Sequence, residues 1–142
     1  EFLRLFQPNV QSISPSWAFS YGLFKKKQAG FVFSYLTSLA FHWGFEKDRG
    51  YDIAVLPEGH PVQIEYVGVP EGCRECDLAR EFAEEMLGPE QQKLIMERNY
   101  MFPVLKGPER DTVYAELPRL KILNTLPSAS EDLGDWDHVF QR

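Results

Sequence analysis

At 142 residues, with 44% apolar and 25% charged side chains, the chain has the composition of one globular domain, or of a piece of a larger one, and not of a disordered tract. A net charge of −6, with no basic run longer than Lys25-Lys26-Lys27, argues against nucleic-acid binding. No apolar run approaches the ~20 residues of a membrane span, and the opening EFLRLFQPNV has neither the basic start nor the apolar stretch of a signal peptide.

In chain order, Ser14-Pro15 is the first helix start, with serine as N-cap and proline where its missing N–H is harmless. Trp17, Tyr21 and Phe24 follow at i, i+4 and i+7, a helical stripe in which Tyr21 and Phe24 read as core. Lys25 to Lys27 suit the negative end of the dipole, and Gly30 is the expected stop. GFVFSYL, residues 30–36, is a continuous apolar run and reads as a strand covered on both faces, the parallel-sheet type. Thr37 or Ser38 then caps a short helix through LAFHWGFEK. In α/β proteins ligands sit beyond the carboxyl ends of strands, and a helix N-terminus there offers free N–H groups to an anion.

Residues 51–70 read as two strands broken between Pro57 and Pro61. Leu78, Ala79, Phe82, Ala83, Met86 and Leu87 make one face of an amphipathic helix, which Gly88-Pro89 stops before opening another through Gln92, Leu94 and Ile95. Residues 97–109 read as a loop or short extended segment carrying two more aromatic rings, and LKIL, residues 120–123, as a short strand or extended stretch. Ser128 to Glu131 resemble a capping box ahead of a last helix with Leu133, Trp136 and Phe140 on its buried stripe. The strands stop halfway and helices finish, so the pattern is the back half of an α/β architecture.

The only two cysteines, Cys73 and Cys76, are spaced C-x-x-C. They are half of a zinc site at most, and His42, His60 and His138 show no ligand spacing with them. A local disulfide, a redox pair at a helix start and two free thiols stay open. Arg-Glu between the cysteines departs from thioredoxin-like motifs, so a structural disulfide in an oxidising compartment, or an inert pair, is preferred to redox catalysis.

Four motifs occur together and in order: Trp-x-x-x-Tyr-Gly-Leu-Phe from Trp17, Ser-Tyr-x-Thr-Ser from Ser34, Glu-Gly-His from Glu58, and Asn-aromatic-Met-aromatic-Pro from Asn99. Over residues 14–104 the chain resembles the C-terminal portion of the thiamine-binding periplasmic proteins of bacterial ABC importers, in the ferric- and polyamine-type group. The resemblance implies an α/β fold, part of a two-lobed periplasmic binding protein of type II. Residues 1–56 would end the second lobe, 57–69 would cross the hinge, and 70–142 would be the C-terminal helical part of the first lobe. It further implies a non-catalytic receptor in the periplasm, without cofactor or metal. The receptor would capture thiamine or a thiamine-like cationic heterocycle, or its phosphate, in an aromatic cleft and deliver it to a membrane permease.

By the same resemblance Trp17 and Tyr35 line the cleft near the thiazolium and its tail, and Ser38 lies on the neighbouring turn. Phe41 stands where those receptors carry Tyr, and Tyr100, preceded by Asn99, where they carry Trp. Aromatic faces hold a flat cation by stacking and cation–π attraction worth ~0.5–2 kcal/mol each. His42 and His60 read as structural or hinge residues. Two alternatives stand beside this reading. One is an enzyme of thiamine or pyrimidine metabolism, with Ser38 and His42 four apart on a helix but no orienting acid evident in the sequence. The other is a truncated fragment that binds no ligand. As part of a longer receptor, the chain is expected to associate with itself or with its missing half through unpaired apolar segments such as that around EGHPVQIEYV.

Overall fold

A computed structural model describes residues 2–123, so the expected cap at Ser128–Glu131 and the stripe Leu133, Trp136 and Phe140 lie outside the described residues. The chain divides into two compact units, the first containing Glu1–Tyr35 and the second Leu36–Ile122.

In the first unit α1 (Phe2–Phe6) runs into a 3-10 turn (Gln7–Asn9), and α2 follows at Trp17–Lys25. The cap of α2 is Ser16 and not Ser14. Ser16 is extended, with φ −153° and ψ 154°, and its Oγ accepts the Phe19 amide at 3.3 Å. Ser14 instead donates to the Ser16 carbonyl at 3.0 Å and is hydrogen-bonded to the Ser20 hydroxyl. At the other end the helix stops before Gly30 is reached. Lys27 turns left-handed at φ 58°, its amide donates to the Phe24 carbonyl at 2.8 Å, and the Gln28 amide donates to the Leu23 carbonyl at 3.0 Å. This pair of bonds is a Schellman closure, with lysine in the position glycine usually takes.

The second unit begins with α3 (Ser38–Ala40), which widens into a π-helical turn (Phe41–Glu46) ended by left-handed Lys47. α4 spans Cys76–Glu85. α5 (Pro89–Leu94) likewise passes into a π-helical turn (Ile95–Asn99), ended by left-handed Tyr100, and a 3-10 turn occupies Val113–Glu116. Leu39, Ala40, Met96, Tyr114 and Leu117 form the buried cluster, with Leu36, Trp43, Tyr51, Ile53, Tyr100 and Val113 packed against it. Its polar groups are satisfied. The Tyr114 hydroxyl donates to the Met96 carbonyl at 2.6 Å. Buried Gln92 donates to the Met86 carbonyl at 2.8 Å and accepts the Val104 amide at 2.7 Å, tying the 100–104 loop to the helix junction.

The expected α/β fold is not formed, and the type II two-lobed assignment is corrected accordingly. Among the described residues there is no β-strand, and the extended pairing present is an isolated parallel bridge between His60 and Ile122. Residues 31–35, 47–56 and 61–70 carry no regular structure apart from that bridge's flank, and Phe31, Phe33 and Tyr66 are 85%, 90% and 86% exposed. The physical reason is that a strand exists only through bonds to a neighbour. These segments have apolar content fit for covered faces, but no neighbouring strand lies beside them among the described residues. The face expected to be buried on α4 is also open: Leu78 and Phe82 are more than half exposed, and no residue of the helix is buried. Among the described residues no helix is long and apolar enough to cross a membrane.

Candidate functional site

The expected ligand-contacting residues fall in both units. In the first, Trp17 opens α2. Its indole N–H donates to Ser34 Oγ at 3.1 Å, which fixes the ring plane and uses its single donor. One turn on, Tyr21 stacks against it at 4.8 Å between centroids, and Tyr35 lies tilted at 6.0 Å. Tyr21 is buried and supports the stack from behind; Trp17 and Tyr35 are half-exposed. What remains on offer is therefore ring face and the Tyr35 ring rather than the indole N–H.

In the second unit Phe41 is the first residue of the π-helical turn. Its ring meets Tyr100 edge to face at 5.2 Å and 89°, and stacks on Phe45 at 5.5 Å. Tyr100 reaches it because the chain turns left-handed there, at φ 51° and ψ 47°, a conformation unusual for a bulky residue. Asn99 is exposed, and its amide N contacts Met101 Sδ at 3.0 Å. Ser38 is the half-buried first residue of α3. The structure thus brings Trp17 to Tyr35 and Phe41 to Tyr100, and turns Asn99 toward Met101. Phe45, exposed and stacked on Phe41, was not singled out in the sequence. Its i+4 spacing from Phe41 was the available signal.

The acid missing from the sequence reading of His42 is Glu46, whose Oε2 lies 2.6 Å from His42 Nδ1. The spacing i, i+4 carried that signal too. Yet the imidazole is 1% exposed and stacks on Tyr51 at 3.6 Å, so the ring is covered rather than presented to a substrate, while Glu46 stays partly exposed. His60 Nε2 accepts the Leu56 amide at 3.0 Å, a turn-closing role. Burial, and after it the proximity of Tyr100, pushes the Tyr114 hydroxyl above the usual tyrosine range and keeps it a donor. Cys73 and Cys76 are joined, with Cα atoms 5.3 Å apart. Among the described residues no group of three or more His, Cys, Asp or Glu side chains converges as a metal site would require.

Residues 1–122 match the family model described as bacterial extracellular solute-binding protein. The chain belongs to this family. Among solute-binding relatives, the thiamine-binding periplasmic protein of Brucella abortus is 41% identical over 100 residues, 70% of this chain and 30% of that protein. The protein of the same name from Escherichia coli is 36% identical over 66% of this chain and 28% of its own. That of Haemophilus influenzae is 31% identical over 92% of this chain and 40% of its own. The chain therefore spans between about a quarter and two fifths of the length of these curated relatives. No solved structure gives a significant match. Membership is consistent with a non-enzymatic protein, and the relatives' names with an extracytoplasmic location. Capture between two closing α/β lobes is corrected with the fold: the sheets that such a clamp is built on are absent among the described residues.

Proposed function

We propose that this chain is a non-catalytic, periplasmic portion of a solute-uptake protein, with a thiamine-like cationic heterocycle and a membrane permease as its partners. It presents open aromatic surface to the ligand and does not clamp it. The relatives' names support the location and the ligand class. The observation that carries the contact is the Phe41–Tyr100 pair: two half-buried rings from distant parts of the sequence, meeting edge to face at 5.2 Å. Trp17 and Tyr35 offer a second surface of the same kind in the first unit. The net charge of −6 favours a cation over an anion. The partners also include other chain, either a second copy or further parts of a longer protein, at the exposed apolar segments.

Two ring contacts at about 0.5–2 kcal/mol each supply at most about 4 kcal/mol, an affinity on the order of 1 mM. Thiamine added to about 10 mM is therefore expected to shift the side-chain NMR signals of Phe41 and Tyr100 saturably. Tyr100→Ala is expected to weaken the effect about tenfold. An unmoved spectrum, or identical titrations for the wild type, Phe41→Ala and Tyr100→Ala, would sink the reading.

A further inference from the structure

We propose that the Cys73–Cys76 disulfide is a reversible redox clasp on the start of α4, opened by an external dithiol. This is independent of the ligand reading. Cys76 is the first residue of α4, and Cys73 lies just before its cap. That cap residue, Glu75, makes no side-chain bond to the first-turn amides, whereas Ser16 caps α2 and Thr112 caps the Val113–Glu116 turn. No residue of α4 is buried, and none belongs to the core cluster. The first turn is held by the disulfide, by an exposed Arg80–Asp77 ion pair at 2.7 Å, and by the helix's own bonds beginning with the Ala79 amide to the Glu75 carbonyl. A helix of ten residues with no buried residue is marginal in water. The covalent link therefore stands in for a side-chain cap on a helix that has no buried residue. Because it closes only a very short loop, its opening acts on α4 and not on the core.

Both cysteines are partly exposed and so within reach of a reagent. There is no free cysteine among the described residues, so the attacking thiol comes from outside. A thiolate of the dithiol attacks Cys73 Sγ and the Sγ–Sγ bond breaks. Cys76 Sγ leaves with the electron pair, at a helix start whose unbonded N–H groups favour a thiolate. It then takes a proton from water. The reagent's second thiolate displaces Cys73 Sγ from the mixed disulfide, and that sulfur is protonated in turn. Two electrons and two protons have passed to the chain, and the reagent has become a cyclic disulfide.

The test treats the whole chain with dithiothreitol without denaturant, counts thiols, and follows amide exchange by peptide. Two thiols are expected, with exchange in Cys76–Glu85 rising at least ~10-fold while Ser38–Glu46 and Pro89–Asn99 stay unchanged. Reoxidation is expected to restore the original pattern. The double variant Cys73→Ser, Cys76→Ser is expected to show the reduced pattern and ignore the reagent. A disulfide that resists the reagent in the native chain, reduction that leaves α4 unchanged, or loosening of α4 and the core together would each overturn the proposal.

Discussion

Tyr114 places the tip of one side chain where the core has a polar need. Its hydroxyl donates to the Met96 carbonyl at 2.6 Å inside the buried cluster. Tyr114→Phe keeps the ring and takes this donor from the Met96 carbonyl, which is expected to cost about 1–2 kcal/mol in urea unfolding. The pH response follows from the raised pKa. Above the ordinary value near 10 the unfolded tyrosine gives up its proton while the folded one keeps it, so the folded state binds more protons. The stability that the buried hydroxyl lends is thus complete below pH ~10 and falls as pH rises through the folded value. Unfolding followed from pH 8 to 11 is expected to show that fall in the wild type and a flatter alkaline limb in Tyr114→Phe. Equal limbs would remove Tyr114 from the account. The hydroxyl's partner was not legible in the sequence: Val113, Ala115 and Leu117 mark an apolar patch around Tyr114, but Met96 lies eighteen residues away. The i, i+4 spacing of His42 and Glu46 was a residue-scale signal present in the sequence but passed over, because the spacing alone does not say that the two side chains meet.

At the scale of elements, punctuation was legible and hydrogen-bond pattern was not. Gly88-Pro89 separates two helices, and α5 starts at Pro89. The start of α2 slid from Ser14 to Ser16 because either serine has the required oxygen, and only the backbone angles choose between them. The π-helical turns at Phe41–Glu46 and Ile95–Asn99 were unreadable, since packing rather than local preference selects them. The end of α2 allows a direct test. Lys27 holds a left-handed angle that disfavours any residue with a Cβ. Lys27→Gly is expected to stabilise the end of α2 by about 0.5–1 kcal/mol, slowing amide exchange there roughly 2–5-fold. Faster exchange would mean that the lysine side chain itself holds the turn.

For the whole molecule, apolar runs gave the wrong fold class for one reason. GFVFSYL and the stretch around Ile64 state what kind of surface would satisfy them, but a sequence pattern does not contain the neighbour that bonds to them. Without that neighbour Phe31, Phe33 and Tyr66 face solvent. Exposed aromatic and aliphatic surface on this scale favours association. Light scattering is therefore expected to give a mass above the 16.5 kDa of one chain at high concentration, falling toward it in Phe31→Ser, Phe33→Ser. A wild-type monomer under those conditions would show that the surface is tolerated. Family membership was legible because it rests on residue identity, which survives where pairing does not.

Gln92 has a consequence for how this sequence can drift. Both ends of its amide are committed, one to the Met86 carbonyl and the other to the Val104 amide. Glutamate has the length but lacks the donor, lysine lacks the acceptor, leucine lacks both, and asparagine is one carbon short. One codon therefore carries an instruction about a loop twelve residues away. A relative that keeps glutamine at this place is free to vary residues 101–104 and still dock the loop that presents Tyr100. A relative that loses it must secure that loop by other means.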